Sequence, residues 1–457
     1  MEYKGQRVLV VGAGKSGLAA AEKLLKNEAQ VFITDRLGRD ELPGLQKLEL
    51  LGLKAEQQIL KREPDIDSLK PDFLVLSPGV PPTLPFIQEA AARGIPLRSE
   101  IEIALKDSPA TLVGITGSNG KTTTARLCGE LAKKTGRETV VAGNIGLALS
   151  GQVEHLNEKG IIVAEFSSFQ LEYIEDLRVN IAVVLNFTPD HLDRHGSMEN
   201  YIAAKARILE NQTADDLAIL NWDDPKVRAL APLTKAEIMF FSLQEILANG
   251  IYRDKESIVA GIKGKAEEII ALKELQLKGN HNVENVAAAS AVAINLGLDK
   301  HQIASVLKSF QPVEHRQEVV GRFNNILYIN DSKGTNPSSA IKALQSYQEP
   351  IVLIAGGQNK GLDMTEFLEV VKQKVKSLVL MGEARAEMEL QAREIGIERI
   401  ISAESFEDSV QKAINEAQAG DIVLLSPACT SWDRFKSYEQ RGELFKELVR
   451  KHYSEPK

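Results

Sequence analysis

The stretch GITGSNGKTTT, from Gly114 to Thr124, limits most narrowly what this chain can fold into. The apolar run Thr111 to Ile115 leads into it and reads as a buried strand, and a helical pattern follows from Thr123 to Lys134. A strand, a glycine-rich turn and a helix in that order form a phosphate cradle. Gly117 and Gly120 let the backbone approach a ligand with no Cβ in the way. The amides at the helix start, with the helix dipole behind them, favour an anion. Lys121 brings a full positive charge for β- and γ-phosphates, and Thr122 a hydroxyl for Mg²⁺. Gly117 and Gly120 enclose only two residues, and Gly114 lies one position too early, so the stretch is a variant of the P-loop. A plain glycine turn with a surface lysine would leave the placement of the threonines unexplained.

With 457 residues the chain has room for about three domains. Its net charge of -8 argues against general nucleic-acid binding, which needs a basic face. No apolar run approaches the ~20 residues of a membrane span. The start, Met1-Glu-Tyr-Lys-Gly, enters a strand directly without a signal-peptide core. Cys128 and Cys429 show no pairing pattern and read as ordinary packing in a reducing cytoplasm.

Arg7 to Val11 reads as a strand opening onto GAGKSG, Gly12 to Gly17, and a second strand, Val31 to Thr34, ends at Asp35. That is the dinucleotide fingerprint, and alone it indicates an NAD site, although any ligand with a diphosphate can use the same turn. Phe73 to Leu76 ends in Ser77-Pro-Gly79, and a domain boundary is expected near Lys106 to Pro109. In the next domain Gly143 to Gly146 is a further turn, and the buried strand Ile161 to Ala164 carries Glu165 at its carboxyl end. An acid there, beside a phosphate loop, suits a Mg²⁺-organising carboxylate; a strand-end acid facing water is the plainer reading. Ile181 to Leu185 opens onto NFTPDHLDRH, where His191 is either a metal or acid–base group or part of a surface loop. Lys205 falls in the apolar stripe of the helical pattern Tyr201 to Leu209, so it either snorkels to the surface or is held in a site. Asn282 and Asn285 share one face at the start of an Ala-rich helix and either read a base edge or cap the helix. A third domain begins near Pro312, where four strands end in polar loops. The expected class is therefore α/β with three domains, 1–107, 108–312 and 313–457: Rossmann-like, P-loop-type ATPase with a mostly parallel sheet, and Rossmann-like again.

The set GSNGKTT, EFSSFQLE, DHLDRHGSMENYIAAKARI, GNHNVENVAAA, HR, NDSKGTN and SPACTSWDRFKSYEQRG, running from end to end, resembles the Mur ligase superfamily. EFSSFQLE and SPACTSWDRF resemble its D-glutamate-adding members. The resemblance implies ATP-dependent addition of D-glutamate to UDP-N-acetylmuramoyl-L-alanine through an acyl phosphate, in peptidoglycan precursor synthesis. It places Lys15, Ser16, Asp35, Arg36, Ser77 and Gly79 at the UDP end of the substrate, and Asn144, Ser167, Gln170 and His191 near its muramoyl-alanine end. It gives the triphosphate to Gly117, Ser118, Asn119, Gly120, Lys121, Thr122 and Thr123, adenine to Asn282 and Asn285, and ATP phosphate and ribose to Arg316 and Asp331. Thr122 and Glu165 would hold one Mg²⁺; His191 and Lys205, the latter N-carbamylated as in related ligases, would organise a second. Lys333, Thr335, Lys360, Ser431 and Tyr438 match the D-glutamate pocket. The expected partners are these small molecules alone, for a cytoplasmic monomer that neither binds nucleic acid nor sits in a membrane.

Three rivals follow from parts of the chain. An NAD-dependent oxidoreductase rests on the first glycine turn and Asp35, and leaves the phosphate loop and third domain unexplained. A non-catalytic nucleotide scaffold would tolerate loss of Lys121, Glu165 or His191, all of which are present. Folylpolyglutamate synthase shares the central motifs but lacks an N-terminal Rossmann-like domain.

Overall fold

A computed structural model of the chain describes residues 3–143, 149–262, 264–277, 279–311, 314–359 and 361–454. Asn144 and Lys360, both candidates from sequence, lie outside the described residues, as do Pro312 and Val313 at the expected boundary. Among the described residues, alternating strands and helices build three sheets.

The first sheet is parallel, in the order Gln58–Leu60, Gln30–Asp35, Arg7–Val11, Phe73–Leu76, Leu97–Ser99. Val8 and Val10 point into one core and Leu9 and Val11 into the other, which is why the strand reads as an unbroken apolar run. The strand order reverses between Arg7–Val11 and Phe73–Leu76, so a ligand crevice is expected beyond their carboxyl ends.

The second sheet runs Lys265–Ala271, Ser257–Ile262, Gly250–Asp254, Glu237–Ser242, Leu217–Asn221, Ile181–Val184, Thr111–Thr116, Ile161–Glu165, Thr139–Gly143. Its pairs are parallel except at the Gly250–Asp254, Ser257–Ile262, Lys265–Ala271 edge. Thr111–Thr116 lies between Ile161–Glu165 and Ile181–Val184, which places the phosphate turn at a reversal of strand order and Glu165 on the neighbouring strand end. The third sheet runs Glu318–Phe323, Ile326–Asn330, Ile422–Leu425, Ile351–Gly356, Val375–Met381, Ile400–Ser402, parallel apart from its first pair.

The chain divides into two compact units. One holds residues 1–187, 199–273 and 284–307, and so the first two sheets. Inside it, the segment after Leu97–Ser99 docks on the loop past Gln170. Ser99 N–H donates to Tyr173 O (2.8 Å), and the fully buried Glu102 carboxylate accepts from the amides of Glu175 (3.0 Å), Asp176 (2.9 Å) and Leu177 (3.2 Å). The other unit holds 188–198, 274–283 and 308–457. Its two short outlying pieces are tied in by side chains: Asn336 Nδ2 donates to Asp190 Oδ2 (3.2 Å), Gln317 Nε2 meets the His281 ring (3.1 Å), and Lys308 pairs with Glu274 (2.7 Å).

Candidate functional site

The phosphate turn has the backbone that its glycines require. Gly117 has φ +140° and Gly120 φ +89°. A Cβ on Gly120 would lie 2.3 Å from Asn285 Oδ1, and one on Gly117 3.0 Å from Leu185 Cβ. The turn is braced from the next strand end, where Asn186 O accepts from Ser118 N–H (2.8 Å) and Asn186 Oδ1 from Asn119 N–H (2.9 Å). The amides of Ser118 and Asn119 thus donate to Asn186. The cradle begins at the first turn of the helix Lys121–Lys133, which no intrahelical carbonyl can serve. Lys121 Nζ donates to Gly117 O (3.0 Å) and Ser118 O (2.8 Å), so the cation already sits over the turn. Thr123 Oγ1 is buried with no hydrogen-bond partner, an orphan that a bound phosphate oxygen would satisfy.

Thr122 Oγ1 donates to Glu165 Oε2 at 2.8 Å, and both side chains are buried. A hydroxyl and a carboxylate beside a phosphate cradle fit Mg²⁺, which takes one or two protein oxygens and completes its shell with phosphate and water. No cluster of three or more His, Cys, Asp or Glu able to hold a metal ion occurs among the described residues.

Lys205 is 2% exposed and does not snorkel. Its Nζ lies 3.4 Å from Thr116 Oγ1, at the end of the strand that feeds the phosphate turn, and 5.0 Å over the Tyr201 ring. The Tyr201 hydroxyl in turn meets Ser118 Oγ (3.1 Å). Spacing alone left snorkelling and retention in a site open; burial removes snorkelling. His191 belongs to the other unit, with a left-handed backbone (φ 54°) and Nε2 3.8 Å from Asp190 Oδ2.

Asn282 and Asn285 lie inside the helix Asn280–Asn295, so neither caps it. Asn285 Oδ1 accepts from Thr124 Oγ1 (3.2 Å), fixing that helix against the phosphate turn. Ser167 and Gln170 form a capping box on the short helix Ser168–Leu171: Ser167 N–H donates to Gln170 Oε1 (3.0 Å) and Gln170 N–H to Ser167 Oγ (3.3 Å).

Beyond the carboxyl ends of the first sheet lies a cavity of about 890 Å³. Lys15, Ser16, Asp35, Arg36, Ser77 and Gly79, chosen from the sequence, all line it. Gly17 sits so close to Gly12 that a Cβ would fall 1.8 Å from Gly12 O, which explains the third glycine of the fingerprint. The Asp35 carboxylate accepts from Ala13 N–H (2.7 Å) and Leu37 N–H (2.9 Å), so it organises the turn itself. Sequence reasoning missed Lys61, Arg62 and Glu63 on the cavity wall. They follow a three-residue strand with no glycine signal, and only the sheet order brings them to the crevice.

In the C-terminal unit Lys333 Nζ lies 5.1 Å over the Tyr438 ring, and Ser431 is buried. Thr335 N–H donates to Lys333 O (2.9 Å). The loops carrying Lys333 and Ser431 are joined by Arg441, a fully buried residue that sequence reasoning missed. Its guanidinium donates to Ser332 Oγ (3.0 Å), Ser332 O (2.8 Å), Cys429 O (3.3 Å) and Thr430 O (3.2 Å). Burial lowers its pKa to about 10, so it stays protonated at neutral pH. Asp331 accepts from Ser426 Oγ (2.6 Å) and Gln317 N–H (3.2 Å), and burial pushes its carboxyl up to about 6. Arg316 Nε is buried without a partner.

Comparison with known proteins extends the motif argument to the whole chain. Family models match in chain order: the Mur ligase MurD-like N-terminal domain over residues 6–99, the Mur ligase middle domain over 115–293, and the Mur ligase glutamate ligase domain over 315–429. A UDP-N-acetylmuramoylalanine–D-glutamate ligase of Desulfitobacterium hafniense is 57% identical over 456 residues, covering 100% of each chain. Its namesake from Pelotomaculum thermopropionicum is 46% identical over 98% of each. Among solved structures, a UDP-N-acetylmuramate–alanine ligase from Thermotoga maritima shares the fold at TM-score 0.61 and 19% identity, covering 98% of this chain and 100% of that one. A pseudomurein peptide ligase type C from Methanothermus fervidus does so at TM-score 0.60 and 18% identity, covering 98% and 100%. The three α/β sheets, the phosphate turn and the end-to-end identity agree, and the chain belongs to the Mur ligase family.

Proposed function

We propose that the chain joins D-glutamate to UDP-N-acetylmuramoyl-L-alanine at the expense of ATP, a step of peptidoglycan precursor synthesis. The observation that carries this reading is end-to-end identity with ligases bearing that name, which spans the C-terminal residues that would choose the acceptor. In this reading the domains are 1–107, 108–312 and 313–457. The first cavity takes the UDP end, with Lys15, Arg36, Lys61 and Arg62 offering charge to the diphosphate.

The substrate carboxylate attacks the γ-phosphorus of ATP, the bond to the β-bridging oxygen breaks, and ADP leaves. The amine of D-glutamate then attacks the acyl carbon, loses a proton, and expels inorganic phosphate. Catalysis of such a transfer rests on positioning and charge neutralisation. Lys121 exchanges the carbonyls of Gly117 and Ser118 for phosphate oxygens, and the first-turn amides of its helix receive the triphosphate. Thr122 and Glu165 hold Mg²⁺, which when bound offsets the charge on the phosphates. Lys205, N-carbamylated, and His191 serve a second ion; carbamylation replaces a buried cation by an anion. Asn282 and Asn285 read adenine, and Arg316 and Asp331 take ATP phosphate and ribose. Ser167, Gln170, Asn144 and His191 are assigned to the muramoyl-alanine end. Lys333, Thr335, Lys360, Ser431 and Tyr438 receive D-glutamate, whose two carboxylates suit cationic and hydroxyl groups. The enzyme is taken to act as a cytoplasmic monomer; no helix among the described residues is long and apolar enough to cross a membrane.

Phosphate release with ATP, Mg²⁺ and UDP-N-acetylmuramoyl-L-alanine tests the reading, with D-glutamate, L-glutamate or no acceptor. Release that requires D-glutamate is expected. Release with another amino acid alone would overturn the acceptor assignment, and no release with any acceptor would overturn the ligase.

A further inference from the structure

Arg441 lies in the helix Tyr438–Ser454 of the C-terminal unit and has no exposed surface. All three nitrogens of its guanidinium are committed. Nε donates to Ser332 Oγ (3.0 Å), Nη2 to Ser332 O (2.8 Å) and Cys429 O (3.3 Å), and Nη1 to Thr430 O (3.2 Å). Ser332 Oγ passes its own hydrogen to Tyr438 O (2.8 Å), at the start of the same helix. One side chain therefore fastens three stretches: the loop at Ser332, the loop at Cys429 and Thr430, and the helix start at Tyr438. Lys333 follows Ser332 in the chain, Ser431 follows Thr430, and Tyr438 lies three residues before Arg441. The Lys333 ammonium lies 5.1 Å over the Tyr438 ring, so two of these stretches also meet through their side chains.

A buried cation is costly, and every hydrogen bond that this one makes among the described residues goes to a neutral oxygen. Lysine could not replace it, because only the planar guanidinium donates in several fixed directions at once. The two loops keep a second tie, from Ala428 N–H to Gly334 O (2.9 Å). Removing the guanidinium thus loosens their register without parting them.

We propose that Arg441 is a positioning residue for the acceptor amino acid: it sets the spacing of Lys333, Ser431 and Tyr438, which no single loop carries. The proposal rests on the functional reading above, which gives the acceptor to those three residues. Arg441 itself touches no substrate. The cavity assigned to the UDP end belongs to the other unit and makes no use of this fork.

The test is steady-state phosphate release by the full chain, with KM measured separately for D-glutamate and for UDP-N-acetylmuramoyl-L-alanine. Arg441→Lys keeps the charge and loses the fork. Its KM for D-glutamate should rise about tenfold or more, as misplaced binding groups require. Its KM for the nucleotide substrate should stay within about twofold. An equal rise in both values, or no rise for D-glutamate, overturns the proposal, since a general loss of packing would not single out the acceptor. Should Arg441→Lys fail to fold, Ser332→Ala decides, because it removes the Nε acceptor and the tie to Tyr438 together. A rise of about threefold or more in the KM for D-glutamate alone is expected there, and an unchanged value overturns the proposal. Wild-type enzyme that used another amino acid would refute the functional reading, and the same comparison made with that acceptor would still decide the role of Arg441.

Discussion

Gly120→Ala concentrates its damage in the phosphate turn, and the geometry sets its size. Gly120 has φ +89°, a conformation that costs an L-residue about 1–2 kcal/mol. The new Cβ would also lie 2.3 Å from Asn285 Oδ1, too close for any real contact, so the Asn285 amide must move. Moving it breaks the 3.2 Å hydrogen bond from Thr124 Oγ1. A bond of that kind contributes about 1 kcal/mol. Together these make about 2–3 kcal/mol. The unliganded turn can relax to escape the strain, but ATP needs it rebuilt, so the cost emerges as lost affinity of roughly 30- to 150-fold. Calorimetric titration of ATP measures it, with Gly14→Ala as control. Gly14 has φ -74° and nothing within 4 Å of an added Cβ, so its variant should bind ATP like the parent. The double variant Gly120→Ala/Asn285→Ala removes the clash but not the backbone strain. Its loss should fall short of the sum of the single losses by about fivefold, the share assigned to the displaced amide. Gly120→Ala within threefold of the parent, or strict additivity in the double variant, would refute the reasoning.

Glu165→Gln keeps an acceptor for Thr122 but removes the negative oxygen; phosphate release should fall about a hundredfold with little change in ATP affinity, and near-normal turnover would exclude a metal role. Lys205→Ala should abolish turnover and regain part of it with added acetate or formate; undiminished activity would sink the carbamate assignment. Asp331 gives a pH dependence of defined sign. Its folded carboxyl titrates at about 6 against an ordinary 3.8, so the native state binds the proton more tightly. Its stabilising effect is complete below the ordinary value and disappears as pH rises through 6, by about 3 kcal/mol in the limit. Thermal unfolding of Asp331→Asn against the parent should show the variant gaining relative stability between pH 4 and 7, and a constant difference would contradict it.

The strands before glycine turns were legible because their signal is local. Arg7–Val11 and Phe73–Leu76 have the bounds that the sequence analysis assigns them, since burial on both faces leaves unbroken apolar runs. Thr139–Gly143 and Leu217–Asn221 were not read as strands; their sheet places come from pairing with Ile161–Glu165 and Ile181–Val184, which no local pattern announces. The same limit applies to chemistry. Lys121, Thr122 and Glu165 follow recognisable turns and strand ends, whereas Glu100, Glu102 and Arg441 are charged residues that composition assigns to the surface. They are buried because partners far along the chain satisfy them: Gln170, the amides of 175–177, and the carbonyls of Ser332, Cys429 and Thr430. Asn186 was seen only as the start of a loop, and its bracing of Ser118 and Asn119 depends on two strands lying side by side.

The scattered make-up of the second unit governs how such enzymes can exchange parts. A chimera joined at the sequence boundary near residue 312 would carry 313–457 from one parent but take 188–198 and 274–283 from the other. Asn336 would then face a foreign residue in place of Asp190, and Gln317 one in place of His281. A transplant meant to change acceptor preference keeps these contacts intact only if it moves all three pieces together.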